Sequence, residues 1–258
     1  QAAGSGGIDM LKESWKNILL GALLLTGLTM LLGSDSSDKK AASLLAVPKA
    51  EAAAMPAYEQ EYMKIVAGVC DYLTTGNTAG LPAQGLTGFE ELEGHNDPGQ
   101  GVSSVGYTLQ DINNDKVPEL IFAILDNEKQ GKGYYGKDIY AVYTFVDGKI
   151  KFVDEGWARS NLQLLPNNML LTRGNSSNTD YVLALKDLLP NGNKRCIDMY
   201  FTRSKSNNEP GLDVYRNNVG RDDVAVSQKT NMTADDFFDM GAEMAGDSVK
   251  LELLPLKE

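Results

Sequence analysis

The sequence is poor in the two residue types that most often bind zinc. Its 258 residues include one histidine and two cysteines, too few for most zinc sites, and this leaves little material for a cysteine- or serine-based hydrolase. The sequence also lacks a P-loop, a Rossmann fingerprint, a nucleophile elbow and an HExxH helix. We therefore expect a protein that is not an enzyme.

Positive charge is also scarce. The chain has 24 Lys and Arg against 35 Asp and Glu, a formal net charge of −11. Because nucleic-acid binding depends on clustered Lys and Arg, this balance argues against a nucleic-acid partner. Residues 1–54 hold equal numbers of acids and bases, so residues 55–258 carry the whole negative charge. An acidic domain of this kind stays soluble and avoids anionic membrane surfaces.

The first 54 residues differ from the rest in their pattern. An apolar run from Ile18 to Leu32 follows a short basic stretch, and it is shorter than the roughly 20 residues that a membrane-spanning helix needs. A basic stretch followed by an apolar run of this length is typical of a signal peptide. Ala50-Glu51-Ala52 fits the small-x-small rule for cleavage by signal peptidase. An earlier cleavage site, an uncleaved anchor and a buried core helix are the alternatives. No cysteine near the run could accept a lipid.

These features divide the chain into three parts. We expect residues 1–9 to be an upstream or disordered segment and residues 10–54 to be a signal peptide or anchor with its linker. Residues 55–258 then form a single domain that is secreted or lies in the cell envelope. The membrane is contacted only through the run from Ile18 to Leu32, if that run is not cleaved.

The hydrophobic pattern of residues 55–258 predicts an α+β fold. Apolar residues at three- and four-residue steps predict a helix over 56–74, whereas 80–105 has no clear period and is expected to be irregular. Beyond it, period-two alternation between Asn-, Gly- and Pro-rich turns predicts an antiparallel β-meander. We expect this sheet to pack in two layers with an N-terminal and a C-terminal helix.

Two local signals fix particular elements of that fold. Asp147-Gly148 lies between the predicted strands 139–146 and 149–153 and is typical of a two-residue hairpin turn. Thr233 and Asp236 have the spacing of a capping box and predict the start of the C-terminal helix. That helix is expected to stop at Gly246, and a last strand to follow.

One segment carries a regular pattern of oxygen-bearing side chains. Asp111, Asn113 and Asp115 occupy alternate positions, and Glu119 follows four residues later. Calcium takes six to eight oxygen ligands, which a short loop supplies from positions 1, 3 and 5, from the carbonyl at position 7 (here Val117) and from position 9. The pattern predicts a structural Ca²⁺ site. The alternative is an Asx-rich turn that is held by hydrogen bonds and contains no ion.

This loop resembles the calcium loops of FG-GAP repeats in integrin-type propellers and, more loosely, those of dockerins and EF-hands. It is also similar to the Asp-x-Asp-x-Asp-Gly-x-x-Glu-Leu turn of exported Firmicutes proteins of unassigned function. The resemblance spans little more than the loop and implies the same five ligands. It departs at Lys116, where glycine is usual, and at Phe122, where an EF-hand has its bidentate Glu.

The remaining candidate residues allow more than one interpretation. Cys70 and Cys196 either form a disulfide or remain separate buried thiols, and His95 is expected in an exposed loop.

The whole pattern favours a non-enzymatic exported bacterial domain, a binding or surface module for an unidentified protein or glycan ligand. The alternatives are a membrane-tethered interaction protein and an extracytoplasmic hydrolase, which would need two acids in a cleft and a raised pKa.

Overall fold

The computed structural model describes residues 55–93, 100–126, 133–205 and 209–257. They belong to one compact unit, Ala53–Glu258. The predictions for residues 1–54, among them the signal peptide or anchor, and the prediction for His95 lie outside the described residues. Within the described ranges, no helix combines the length and the apolar character needed to cross a membrane.

Helices and strands follow one another along these residues. The helices are α1 (Ala57–Thr75), α2 (Thr87–Glu93), α3 (Gln100–Ser103) and α4 (Ala234–Gly246). The strands are β1 (Val105–Gln110), β2 (Glu119–Ile124), β3 (Tyr134–Gly136), β4 (Ile139–Val146), β5 (Lys149–Glu155), β6 (Ser160–Leu164), β7 (Leu170–Asn175), β8 (Tyr181–Leu188), β9 (Lys194–Ser204), β10 (Leu212–Asn217), β11 (Gln228–Lys229) and β12 (Leu251–Pro255). The chain is thus mostly strand with a few helices, which agrees with the α+β class in its coarse form.

The strands form one antiparallel sheet. Its order is β11-β10-β9-β8-β7-β6-β4-β2-β1-β12-β3, and β5 pairs with β4 beside this path. Most neighbours in the sheet are close in sequence, as expected of a meander. The exception is β12, which returns from the end of the chain to lie between β1 and β3. It therefore pairs with strands more than a hundred residues earlier in the chain.

The segment 80–105, for which the sequence predicts irregular structure, contains α2 and α3, so that prediction is wrong in part. Each short helix carries one fully buried apolar residue, Phe89 in α2 and Val102 in α3. Both belong to the same core cluster as the buried face of α1. Helices this short draw their stability from such packing rather than from local propensity, and for this reason the local sequence pattern does not reveal them.

The turn and cap predictions are confirmed. Asp147 and Gly148 both have positive φ, 52° and 75°, as a two-residue hairpin between β4 and β5 requires. At the start of α4, Thr233 Oγ1 accepts from the N–H of Asp236 at 3.1 Å, and the N–H of Thr233 donates to Asp236 Oδ2 at 3.0 Å. This is a complete capping box. Gly246 is the last residue of the helix.

The core is divided between the two faces of the sheet. In β2, Leu120 and Phe122 belong to a cluster with residues of α1, whereas Ile121 and Ala123 belong to a second cluster with residues of β6, β7 and β12. Both faces of β2 are therefore buried. A third cluster joins Phe237 and Ala245 of α4 to apolar residues of the sheet.

Candidate cation-binding loop

The oxygen-rich loop connects β1 and β2, two neighbouring strands in the interior of the sheet. The strands β1 and β2 pair up to Gln110 and Glu119, so residues 111–118 form the connection and Glu119 is the first residue of β2. Asn114 and Lys116 have positive φ, 61° and 75°. Lys116 therefore adopts the left-handed conformation for which glycine is the usual residue at this position of such loops.

Asp111 organises the backbone of the loop. Its Oδ1 accepts from the N–H of Asn114 at 2.7 Å and its Oδ2 from the N–H of Lys116 at 3.0 Å. These bonds fold the backbone around the carboxylate, in the same way as the side chain-to-backbone bonds of Asx-turns. A single side chain thus holds the two residues that have positive φ.

A polar cluster joins two loop residues, Asn113 and Asp115, to Glu119 at the start of β2. The Nδ2 of Asn113 donates to Asp115 Oδ2 at 3.0 Å and to Glu119 Oε1 at 3.1 Å. Asn113 Oδ1 accepts from the N–H of Asp115 at 3.0 Å. Asp115 Oδ1 in turn accepts from the N–H of Val117 at 2.8 Å. The amide group of Asn113 therefore occupies the point at which the two carboxylates converge.

Glu119 is the most deeply buried member of this cluster, with an exposure of 0%. Its Oε2 accepts from the N–H of Ile112 at 2.9 Å, and its Oε1 accepts from Thr144 Oγ1 at 2.9 Å. Burial is the main cause that raises the pKa of Glu119 to about 7, and the neighbouring charges of Asp115 and Asp111 raise it further. No lysine, arginine or histidine among the described residues pairs with it.

A buried hydroxyl of α1 lies in the same electrostatic field. Tyr62 is 0% exposed, and its hydroxyl has no hydrogen-bond partner among the described residues. Burial raises its pKa, and the charges of Glu119 and Asp115 raise it further. Leaving a buried polar group unpaired costs about 1–3 kcal/mol. The hydroxyl is therefore a buried polar group whose hydrogen-bonding capacity is unused.

The structure brings the predicted residues together in part. Asn113 contacts both Asp115 and Glu119. Asp111 shapes the backbone, and Val117 contributes its N–H to Asp115. Within the described residues, no three His, Cys, Asp or Glu side chains are placed to hold a metal. A cation in this loop would therefore also need the Asn113 amide oxygen and backbone carbonyls as ligands.

The contributions of Thr144 and Tyr62 do not follow from the sequence. Thr144 is 25 positions away from Glu119 and reaches it because β2 and β4 are neighbours in the sheet. Tyr62 has the spacing of a core residue in the α1 pattern and gives no sign of its unpaired hydroxyl. The one available signal is Thr144 itself, a polar residue inside the otherwise apolar run of β4.

Both cysteines are free thiols. Cys70 Sγ donates to the carbonyl oxygen of Leu256 at 3.7 Å, and burial is the main cause that raises the pKa of the Cys196 thiol. Of the two interpretations of the pair, separate thiols agree with the structure.

Comparisons of the chain with protein-family models, with curated proteins and with solved structures give no match.

Proposed function

We propose that residues 55–258 are a non-enzymatic binding or surface module of an exported bacterial protein, and that its loop 111–119 takes up a divalent cation, with Ca²⁺ as the natural choice. In this proposal a signal peptide or anchor precedes the domain, the sheet packs in two layers with the N- and C-terminal helices, and the ligand is a protein or a glycan. The cation has a structural role.

The observation that carries the cation proposal is that Glu119 is fully buried and has no cationic partner among the described residues. A buried carboxylate without a cationic partner is costly, and its raised pKa expresses that cost. The charges of Asp115 and Asp111 act on the same carboxyl. The buried hydroxyl of Tyr62, which is unpaired, lies in the field of Glu119 and Asp115. A divalent cation would bind the carboxylate oxygens and provide the positive charge that no side chain supplies to this cluster.

Asn113 is the residue that would change between the two states of the loop. Its amide nitrogen now faces Asp115 Oδ2 and Glu119 Oε1. A rotation of the amide by half a turn would bring its oxygen to that point, so that three oxygens converge on one position. The rotation would break the bond from the N–H of Asp115 and the two bonds that Asn113 Nδ2 donates, and the bound cation would offset these losses.

The position of the titratable groups favours a non-enzymatic role over the hydrolase alternative. A catalytic carboxyl with a raised pKa has to face a cleft. Glu119, the carboxyl whose pKa is raised among the described residues, is fully buried. It does not line the clefts around Arg173, Tyr143 and Trp157.

Calorimetric titration of the full chain with CaCl₂, after treatment with EGTA, tests the cation proposal. We expect binding heat and, at a hundredfold excess of free Ca²⁺ over Kd, a Tm increase of roughly 5–10 °C. Asp115→Asn should abolish both effects. Asn113→Asp should lower the Tm in EGTA, because it adds an uncompensated charge, and should increase the stabilisation by Ca²⁺.

Asp147→Asn is the matched control. It removes the same charge from the exposed hairpin turn, where Asn adopts positive φ equally well, and should leave the calcium response unchanged. If the parent chain gives neither heat nor a Tm shift, the loop is a turn closed by hydrogen bonds and the cation proposal is wrong.

A further inference from the structure

A cleft of about 310 Å³ opens between α4 and the sheet. Phe238, Gly241 and Ala242 of the helix form one wall, and side chains of β6, β7 and β8 form the other. A Cβ atom placed on Gly241 would lie 3.8 Å from Leu183 and 3.9 Å from Cδ of Arg173. The helix backbone therefore passes directly over the stem of Arg173. The cleft shares no residue with the loop 111–119.

The sheet side of the cleft is set by the strand register. Asn161 of β6 pairs with Arg173 of β7, and Arg173 pairs with Leu183 of β8. Directly paired residues project to the same face of a sheet. An amide, a guanidinium and an apolar side chain thus stand side by side under α4.

A second arginine borders the cleft. Arg159 lies in the turn before β6, and its carbonyl oxygen accepts from the N–H of Asn175 at 2.9 Å, which fixes the turn beside β7. A Cβ on Gly174 would lie 2.7 Å from that same oxygen. Only glycine permits this close approach, and through it the backbone of Arg159 is held next to Arg173.

Neither of these arginines has an acidic partner among the described residues, although the chain carries a net charge of −11. Three other arginines, Arg195, Arg203 and Arg216, each make an ion pair with Asp, whereas the exposed Arg221 makes none among the described residues. The contrast is sharpest at Nε. In Arg216 the Nε and Nη2 atoms donate to the two carboxylate oxygens of Asp198 at 2.8 and 2.7 Å, whereas the buried Nε of Arg173 has no partner.

The far end of the cleft is aromatic. Phe238 is 42% exposed and packs edge-to-face on Tyr181, with the ring centroids 4.9 Å apart. The exposed ring of Phe238 and the half-buried ring of Tyr181 line the same cleft as Arg159 and Arg173. The cleft therefore offers an apolar surface and a cationic one in the same small volume. Ligand pockets commonly combine a largely apolar lining with a few polar groups that fix orientation.

We propose that this cleft binds an organic carboxylate that carries an apolar group. The carboxylate is held by Arg173, with Arg159 as a second cation, and the apolar group packs on Phe238 and Tyr181. A planar carboxylate suits this site because a guanidinium binds it through two parallel hydrogen bonds, here from the two terminal Nη atoms of Arg173, since its Nε is buried. Both a free acid and the C-terminal carboxylate of a peptide have this chemistry.

Calorimetry of the full chain with N-acetyl-L-phenylalanine tests the proposal. We expect the acid to bind, and both N-acetyl-L-phenylalaninamide, which lacks the charge, and acetate, which lacks the ring, to bind at least about tenfold more weakly. Arg173→Gln should weaken the acid about tenfold or more, because a charge-assisted pair of hydrogen bonds is lost. A peptide that ends in phenylalanine and the C-terminal amide of the same peptide are titrated in the same way. Binding of the peptide but not of its amide assigns the ligand to a peptide C-terminus, whereas binding of N-acetyl-L-phenylalanine alone assigns it to a free acid.

Two further variants distinguish binding in the cleft from misfolding and from a general effect of charge. Ala242→Trp fills the cleft from an exposed position of α4 and should abolish binding without disturbing the core. Arg195→Gln removes one positive charge from an exposed ion pair outside the cleft and should leave the affinity unchanged. Equal binding of the acid and its amide, or no binding of the acid up to about 10 mM, would overturn the proposal.

Discussion

At the scale of single residues, the strongest conflict between side chain and backbone lies at Lys116. Its φ of 75° is left-handed, which costs an L-residue about 1–2 kcal/mol. Glycine adopts this conformation freely but loses about 0.5–1 kcal/mol more conformational entropy on folding. We therefore expect Lys116→Gly to raise the free energy of unfolding by up to about 1 kcal/mol, as measured by urea denaturation in EGTA.

Lys116→Ala separates the backbone effect from the loss of the side chain. It removes the same ammonium group but keeps the Cβ atom, so it should not stabilise the protein. Equal stabilisation by both variants would mean that the charge of Lys116, not its φ, is the source of the effect.

The loop also shows how far the sequence determines a site. Asp111, Asn113 and Asp115 were predictable because their hydrogen bonds run to residues two to five positions away. Thr144, which bonds to Glu119, and Tyr62, whose unpaired hydroxyl lies in the field of the cluster, come from other elements. Arg159 and Arg173 were not predicted for the same reason, because only the sheet register places them in one cleft.

At the scale of the elements, the capping box of α4 gives a pH-dependent prediction. The hydrogen bonds from Thr233 lower the pKa of Asp236. A lowered pKa means that the ionised carboxylate stabilises the fold at neutral pH, and that this contribution is lost as the pH falls through the folded-state value. Asp236→Ala should therefore lower the Tm at pH 7, and its difference from the parent should shrink as the pH falls below about 4.

Asp235→Ala is the control for that experiment. Asp235 is an exposed acid in the same helical turn and outside the capping box. Thermal denaturation followed by circular dichroism should show a smaller effect for it at pH 7. Equal effects of both variants would assign the stabilisation to the helix dipole instead of the cap.

The elements that the sequence predicted well are those with local chemistry. The Asp147-Gly148 turn and the Thr233 cap are set by residues within a few positions of each other. The strand β3 has three residues and exists because β12 pairs with it from the far end of the chain. Such non-local pairing leaves no periodic signal in so short a segment, and the same holds for the tertiary contacts that stabilise α2 and α3.

At the scale of the whole molecule, β2 connects the two faces of the core. Its residues alternate between the cluster that contains α1 and the cluster on the opposite face. The loop 111–119 enters this strand directly, through Glu119. A change in the loop is therefore coupled to the most buried part of the sheet, which explains why a cation there would stabilise the whole domain.

Phe122 shows how strongly one face of the core depends on β2. Its side chain is 0% exposed, and its ring contacts those of Phe89, Tyr107 and Tyr143, which lie on α2, β1 and β4. Phe122→Ala should lower the free energy of unfolding by about 3–5 kcal/mol, because it leaves a cavity where these elements meet. Phe238→Ala removes the same ring from an exposed position and should cost much less. Urea denaturation followed by circular dichroism gives both values, and similar losses for the two variants would contradict the central role assigned to β2.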